Sequence, residues 1–536
     1  MVELRTFNPE LDGIKLFMNP YEDELSFDLD AIPPICQVLH VQTIDEVPEK
    51  ESAWLDDLLD SESQVIPPTV ATRASNRYIP SSRRYLLPLT AHMLYIQLDK
   101  KRFNHPSEPD ADRRLVYIAN PAGSHICAII ETTPQHQHEA VRVLIARFFS
   151  FETSIKASLA TTGQPTYRLE CHLPYFAWRR TQSPPKETTV NPHREWIDLS
   201  FLAHVLLDPG DETFLGIHPA QVSVVLCGTS ETRYMVHCFE DTRFDEDRDM
   251  GQDEFSDTGF QADQIAKGKT DANIPIWNPR EYFLHVLLIR INQIRDEWTR
   301  VVRNIESAFQ TFSSGRLHFA KSHCDPVPHN NIEAASYWTQ QMLQLLSKLL
   351  QKIEETNYAW DCFLGGDVGY FSDLDSVSPT TKFRIELMLQ QVDEAFSDLK
   401  GLQKRLERVQ TQCEKKERFL EVRLVMDSHK NTELTIVYIC PVTVVSTFFA
   451  IPTPIMSFER NARSFFGAIL VITAIIWVLR IFRGERFRQQ PWLDTITSRA
   501  KAAWQGDRTN TTKNALGQTV IRRRRTHPWV QEPKDL

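Results

Sequence analysis

The period of the hydrophobic positions changes along the chain. Between about residues 84 and 240 the apolar residues come in short runs split by turn residues: His92–Leu98 (HMLYIQL), Leu115–Ala119 (LVYIA), His125–Ile130 (HICAII), Val222–Cys227 (VSVVLC) and Tyr234–Phe239 (YMVHCF). Runs of this length bounded by turn signals predict strands. Helical periodicity interrupts them near Gln137–Ser158, so a mixed α/β domain is expected. Residues 1–80, with Pro33-Pro34, Pro67-Pro68 and the acidic stretch Glu49–Asp60, read as irregular. Asp241–Asn273 is acidic, contains glycine and has few large apolar residues, which predicts a solvated loop. After it the pattern turns helical. Asn278-Pro279 supplies a cap and a first-turn proline for a helix to about Phe312. A second helix is expected over about Ile332–Trp360, closed by Gly365-Gly366-x-x-Gly369.

Ser378-Pro379 opens the longest pattern. Apolar residues fall at Ile385, Leu389, Val392, Phe396, Leu399, Leu402, Leu406, Val409, Cys413, Leu420 and Leu424, mostly three or four apart, which is the spacing of a coiled-coil seam. No proline or glycine interrupts it except Gly401 before Pro441. Run on to residue 451, the helix would reach roughly 110 Å at 1.5 Å per residue. A rod of that length predicts a stalk packed against copies of itself or against a returning helix.

Two uncharged runs follow: Leu434–Ile451 (LTIVYICPVTVVSTFFAI, 18 residues) and Ser464–Leu479 (SFFGAILVITAIIWVL, 16 residues), the second flanked by Arg463 and Arg480. Snorkelling by Arg480 would add Ile481 and Phe482 to the second. A buried hairpin in a globular core is one reading; a transmembrane hairpin suits the run lengths and the charged flanks better.

Composition narrows the class. The chain has 536 residues, 42% hydrophobic and 24% charged, with a mean hydropathy of -0.34. Those values exclude a disordered or collagen-like chain and a protein that is membrane throughout. Nine cysteines without a C-x-x-C pair argue against a disulfide framework and a zinc ribbon, and place the soluble part in a reducing compartment. Charge is asymmetric. From Arg480 onward there are 13 Lys and Arg against 5 Asp and Glu, residues 452–463 carry +1, and the whole chain is -10, so residues 1–433 carry -19. Under the positive-inside rule the acidic body and basic tail share the cytoplasmic side. The glycosylation pattern Asn510-Thr511-Thr512 then lies on the wrong side for use. The acidic N-terminus does not predict a mitochondrial presequence, so insertion is expected to rest on the hairpin.

An acidic α/β domain, a long helix entering a first membrane helix, a short link, a second membrane helix and a basic tail together resemble the CorA family of divalent-cation channels, in particular its diverged fungal members. That family reads Pro-Leu-Thr, six residues, then Gly-Met-Asn. Here Pro441-Val442-Thr443 is followed at the same distance by Ala450, Ile451 and Pro452. The family asparagine holds hydrated Mg²⁺ at the outer mouth; Pro452 has no such side chain, leaving backbone carbonyls and Thr453. The resemblance places pore-lining positions at Thr443, Cys440, Thr432 and His429. Thr443 is read either as an oxygen for a hydrated cation or as a helix threonine bonding its own backbone. His429 is read as a pH-dependent gate or as a solvated stalk histidine. Arg460 and Arg463 stand where the family shows acidic residues. The family senses Mg²⁺ through cytosolic carboxylates, so Asp367, Asp373 and Asp375, or the acidic stretch Asp241–Asp257, are regulatory candidates, with a solvated charge run as the plain alternative.

Other signals carry less. His136-Gln137-His138 spaces two imidazoles without a third ligand nearby. Gly365-Gly366-x-x-Gly369 lacks the Lys-Ser/Thr of a P-loop. Arg522–Arg525 suits an anionic lipid surface or a topology determinant better than a nuclear signal.

The expected architecture is therefore an α+β membrane protein. Its parts are an irregular N-terminal region (1–83), a cytosolic α/β domain (84–277, acidic loop 241–273), a helical hairpin region (278–377) and a coiled-coil-like stalk (378–433). Transmembrane helices at 434–451 and 464–482 flank an external link (452–463), and a basic tail follows (483–536). The expected function is passive conduction of Mg²⁺ or a related divalent cation through a homo-oligomeric, pentameric pore in the plasma membrane or an endomembrane. The expectation includes no enzymatic activity, no tightly bound cofactor and no nucleic-acid partner. The alternative is a CorA-fold scaffold that does not conduct.

Overall fold

A computed structural model describes residues 17–18, 51–59, 82–83, 85, 87–160, 166–182, 194–206, 213–242, 244, 260–320, 329–372, 378–434, 439–450 and 462–488. The chain divides into two units, Met1–Glu421 and Val422–Leu536.

In chain order the sheet part of the first unit comprises β1 (Ala53–Leu58), β2 (Ser82–Arg83), α1 (Ala91–Asp99), β3 (Arg113–Ala119), α2 (Gly123–Thr132), α3 (His138–Phe149), β4 (Ser154–Ala160), β5 (Thr166–Thr181), β6 (Ile197–Asp198), α4 (Ser200–Leu206), β7 (Phe214–Gly228) and β8 (Tyr234–Glu240). These strands form one mixed sheet in the order β2-β1-β3-β8-β7-β5-β4, with β6 beside β7. β3 and β8 run parallel, and the other pairs are antiparallel. Alternate side chains point to opposite faces. Val116, Ile118, Val225, Met235 and Phe239 share a buried core with Leu94, Ile126, Ile129, Val141 and Leu144 of α1, α2 and α3.

Two runs that read as strands are helices. In α1 the Thr90 hydroxyl accepts the Met93 N–H, and Ala91, Leu94 and Leu98 are buried at helical spacing while Met93 and Ile96 are exposed. The N-cap outweighs the short apolar run, which alone does not separate strand from helix. In α2 every residue from His125 to Ile129 is buried, so no polar face marks its period. The helical stretch expected to reach Ser158 stops at Phe149; Phe151 has φ 56°, and β4 begins at Ser154.

Part of the N-terminal region expected to be irregular is a buried strand. Its acidic residues are paired rather than solvated: Asp56 meets Arg113 at 2.8 Å, and Asp57 takes two hydrogen bonds from Arg114 at 2.8 and 2.7 Å. Residues 260–273, within the expected solvated loop, also contribute to the core. Asp263 accepts the N–H of Ile265 and Ala266 and the Tyr282 hydroxyl, and Ile265 and Ala266 are buried.

The helical part comprises α5 (Pro279–Ala320), α6 (His329–Gly365), α7 (Gly369–Ser372) and α8 (Pro379–Leu434). Asn278 Oδ1 caps α5 by accepting from Arg280 N at 3.0 Å and Glu281 N at 3.1 Å. α5 meets the sheet on the face away from α1–α3. Arg290 donates to Glu240 of β8 at 2.8 Å, and the Tyr282 ring packs 5.9 Å from that of Tyr234.

The seam of α8 is buried within a single chain. Ile385, Val392, Phe396, Leu399, Leu402, Leu406, Val409, Cys413 and Leu420 are buried, whereas Leu389 and Leu424 are half-buried. Trp360 of α6 stacks on Phe396 at 4.7 Å and donates Nε1–H to Asp393 at 2.9 Å. Asn357 reaches Gln403 at 2.8 Å, and from α5 Glu306 and Glu281 take Arg405 and Arg384 at 3.0 and 2.8 Å. Of the two packings the sequence allows for the seam, the one against returning helices is therefore present in the first unit.

The second unit contains α9 (Cys440–Ala450) and α10 (Ala462–Arg488). The continuous helix expected through residue 451 is described as α8 ending at Leu434 and α9 starting at Cys440; residues 435–438 lie outside the described residues. Phe449 meets Phe465 edge to face at 5.2 Å. Among the described residues no helix is long and apolar enough to cross a membrane. The described side chains of α10 nonetheless leave Phe466, Leu470, Val471, Ile475, Trp477 and Val478 exposed.

Candidate functional site

α9 begins with Cys440-Pro441. Ile439, just before it, is in a π-helical turn, a local widening of the kind that accommodates the missing N–H of a proline. Pro441 and Val445 are buried and share a stripe with Phe449, whose ring meets Phe465 of α10. At roughly 100° per residue, Cys440, Thr443 and Thr447 fall on the opposite side. All three are exposed, as is Ala450 at the end of the helix. One face of α9 thus carries the ring contact with its neighbour, and the other presents a thiol and two threonine hydroxyls, flanked by exposed Val442, Val444 and Ser446.

Both hydroxyls are satisfied within the helix. Thr443 Oγ1 donates to Ile439 O at 3.0 Å, and Thr447 Oγ1 donates to Val444 O at 2.8 Å. This is the back-bonding expected of threonine in an apolar helix, and it leaves the oxygen lone pairs facing outward. Thr447 is absent from the residues that motif matching selects. Its signal in the sequence is its position one helical turn after Thr443.

Thr432 and His429 belong to α8, but their side chains lie outside the described residues. Ile451 and Pro452, like Asp373 and Asp375, also lie outside them. Arg463 is exposed in α10. Asp367 is in the first unit, where its Oδ2 accepts the backbone N–H of Ala157 at 3.0 Å. Among the described residues no group of three or more His, Cys, Asp or Glu is arranged to hold a metal ion. In the His136–His138 pair, His138 Nε2 lies 3.1 Å from Thr133 O and His136 Nε2 lies 3.3 Å from Gln137 Nε2. Burial, with Arg102 and His138 nearby, holds the His136 imidazole below its ordinary range.

Comparison with protein-family models finds no match, and comparison with the curated proteins finds none either. Among solved structures the chain is similar to the complete structure of the CorA magnesium transporter from Methanocaldococcus jannaschii, at 9% identity and a TM-score of 0.30, over 72% of this chain and 92% of that one. A likeness of that size carries no argument about fold or function.

Proposed function

We propose that the chain is a CorA-like membrane protein that conducts a divalent cation, Mg²⁺ or a related ion, passively through a homo-oligomeric pore lined by α9. The observation that supports this best is the two-sided character of α9, with Pro441 and Val445 buried on the side where Phe449 meets α10 and Cys440, Thr443 and Thr447 exposed on the other. One hairpin encloses no pore, so the hydroxyl face needs copies of itself; a pentamer is the proposed assembly. The exposed apolar side chains of α10 suit lipid. Hydroxyl oxygens suit a hydrated ion, since Mg²⁺ gives up water reluctantly. The -19 charge of residues 1–433 would concentrate cations at the cytosolic entrance. In this reading residues 434–451 and 464–482 span the bilayer of the plasma membrane or an endomembrane with both termini cytoplasmic. The protein catalyses no reaction, holds no tight cofactor and binds no nucleic acid.

A non-conducting scaffold is the second reading. It is favoured by Pro452 in place of the family asparagine and by Arg460 and Arg463 in the link, where positive charge repels cations. Reconstitution into vesicles with a Mg²⁺- or Ni²⁺-sensitive dye separates the two. Flux above empty vesicles at some internal Mg²⁺ level supports the channel; none at any level rejects it.

A further inference from the structure

The first unit holds a cavity of about 780 Å³ between α6 and the β4 edge of the sheet, far in sequence from α9. That is within the roughly 300–1,000 Å³ typical of small-molecule sites. One wall is Trp196, which lies flat on Gly216: a Cβ at residue 216 would stand 2.0 Å from Trp196 Cζ2, so only glycine admits the ring. The His218 ring, 4.4 Å away, fixes Trp196 from another side. Phe176 adds a second aromatic surface.

The charged groups of the lining divide into committed and uncommitted ones. Lys352 donates to Phe151 O at 3.1 Å and to Glu355 at 2.6 Å. Arg147 lies 3.9 Å from Glu152 and 3.7 Å from Glu170. Lys156 and Lys348 have no ion pair or hydrogen bond among the described residues, and Glu195 is the remaining carboxylate of the lining. Thr153 is also in the lining, and its hydroxyl is buried with no hydrogen-bond partner among the described residues. A buried hydroxyl without a partner carries a desolvation cost that a ligand acceptor would remove.

We propose that this cavity binds a small anion carrying an aromatic ring, a nucleoside phosphate, with the ring against Trp196 and Phe176 and the phosphate taken by Lys156, Lys348 and the Thr153 hydroxyl. Two uncommitted ammonium groups against one uncommitted carboxylate favour an anion, and the fixed indole favours a flat ring. The proposal is independent of whether the chain conducts.

The test is isothermal titration calorimetry of the full chain in detergent with AMP, ATP, adenosine and inorganic phosphate as separate probes. A nucleoside phosphate should bind at least about tenfold more tightly than either adenosine or phosphate, because both halves of the site contribute. The exposed pair Lys156→Glu/Lys348→Glu should weaken binding by about tenfold or more while the melting temperature holds. Thr153→Val, which removes the orphaned hydroxyl at equal size, should weaken binding with the melting temperature unchanged or raised. Absence of binding by either nucleotide up to about 1 mM overturns the proposal, as does unchanged affinity in the double lysine variant.

Discussion

Asp367 Oδ2 accepts the backbone N–H of Ala157 at 3.0 Å, so a side chain from the turn after α6 occupies a hydrogen-bonding position on the open edge of β4. An unpaired sheet edge invites pairing with another chain, and blocking one of its N–H groups is a recognised protection. The role open to Asp367 as a Mg²⁺-sensing carboxylate competes with this one. Asp367→Ala should cost about 1 kcal/mol of stability and increase light scattering on warming. If the residue serves only the strand edge, the Mg²⁺ dependence of melting will match the parent protein.

Trp360 joins α6 to α8 through its stack on Phe396 and its hydrogen bond to Asp393. Its burial is complete. Trp360→Ala should destabilise the first unit by about 3–5 kcal/mol, whereas Trp360→Phe, which keeps the stack and loses the N–H, should cost less. Chemical denaturation followed by circular dichroism measures both.

Arg290 is fully buried and donates to Glu240 as well as to the carbonyls of Ile265 and Gln264. It therefore ties α5 and the 260–274 segment to the centre of the sheet. Arg290→Met should cost about 3–5 kcal/mol, because it leaves Glu240 buried without its cation. The double variant Arg290→Met/Glu240→Gln should recover part of that loss in the same denaturation assay.

His237 of β8 is fully enclosed, and neither ring nitrogen has a hydrogen-bond partner among the described residues. Burial, with Arg114 and Arg102 nearby, pushes its imidazole down from 6.5 to about 3. The folded state thus binds fewer protons than the unfolded state between those values. Its contribution is fully present above pH 6.5 and is lost as pH falls toward 3. One such group lowers stability by about 1.4 kcal/mol per pH unit within the window. His237→Leu should make the decline from pH 6.5 to 5 shallower by that slope; an unchanged slope would show that His237 does not titrate there.

Thr443 and Thr447 share the outward face of α9. If that face lines a pore, Thr443→Val and Thr447→Val should each reduce divalent-cation flux several-fold, and the pair by more than either alone. Ser446→Ala, away from the centre of that face, should leave flux near the parent value. Equal flux in all variants removes α9 from the conduction path.

The sequence by itself determined the elements whose signal is local. The Asn278-Pro279 cap, the α8 seam from Ile385 to Leu420, and strands β3, β7 and β8 are legible because periodicity and capping act over a few residues. The order from sheet domain to long helices follows from the same patterns. The tertiary structure alone decided the rest. Asp56 and Asp57 look solvated until β3 brings Arg113 and Arg114 alongside them, since an ion pair can bury a carboxylate that its own neighbours cannot. α2 hides its period because it is buried nearly all round. The wall made by Trp196 on Gly216 joins residues from separate segments, and only folding brings their surfaces together.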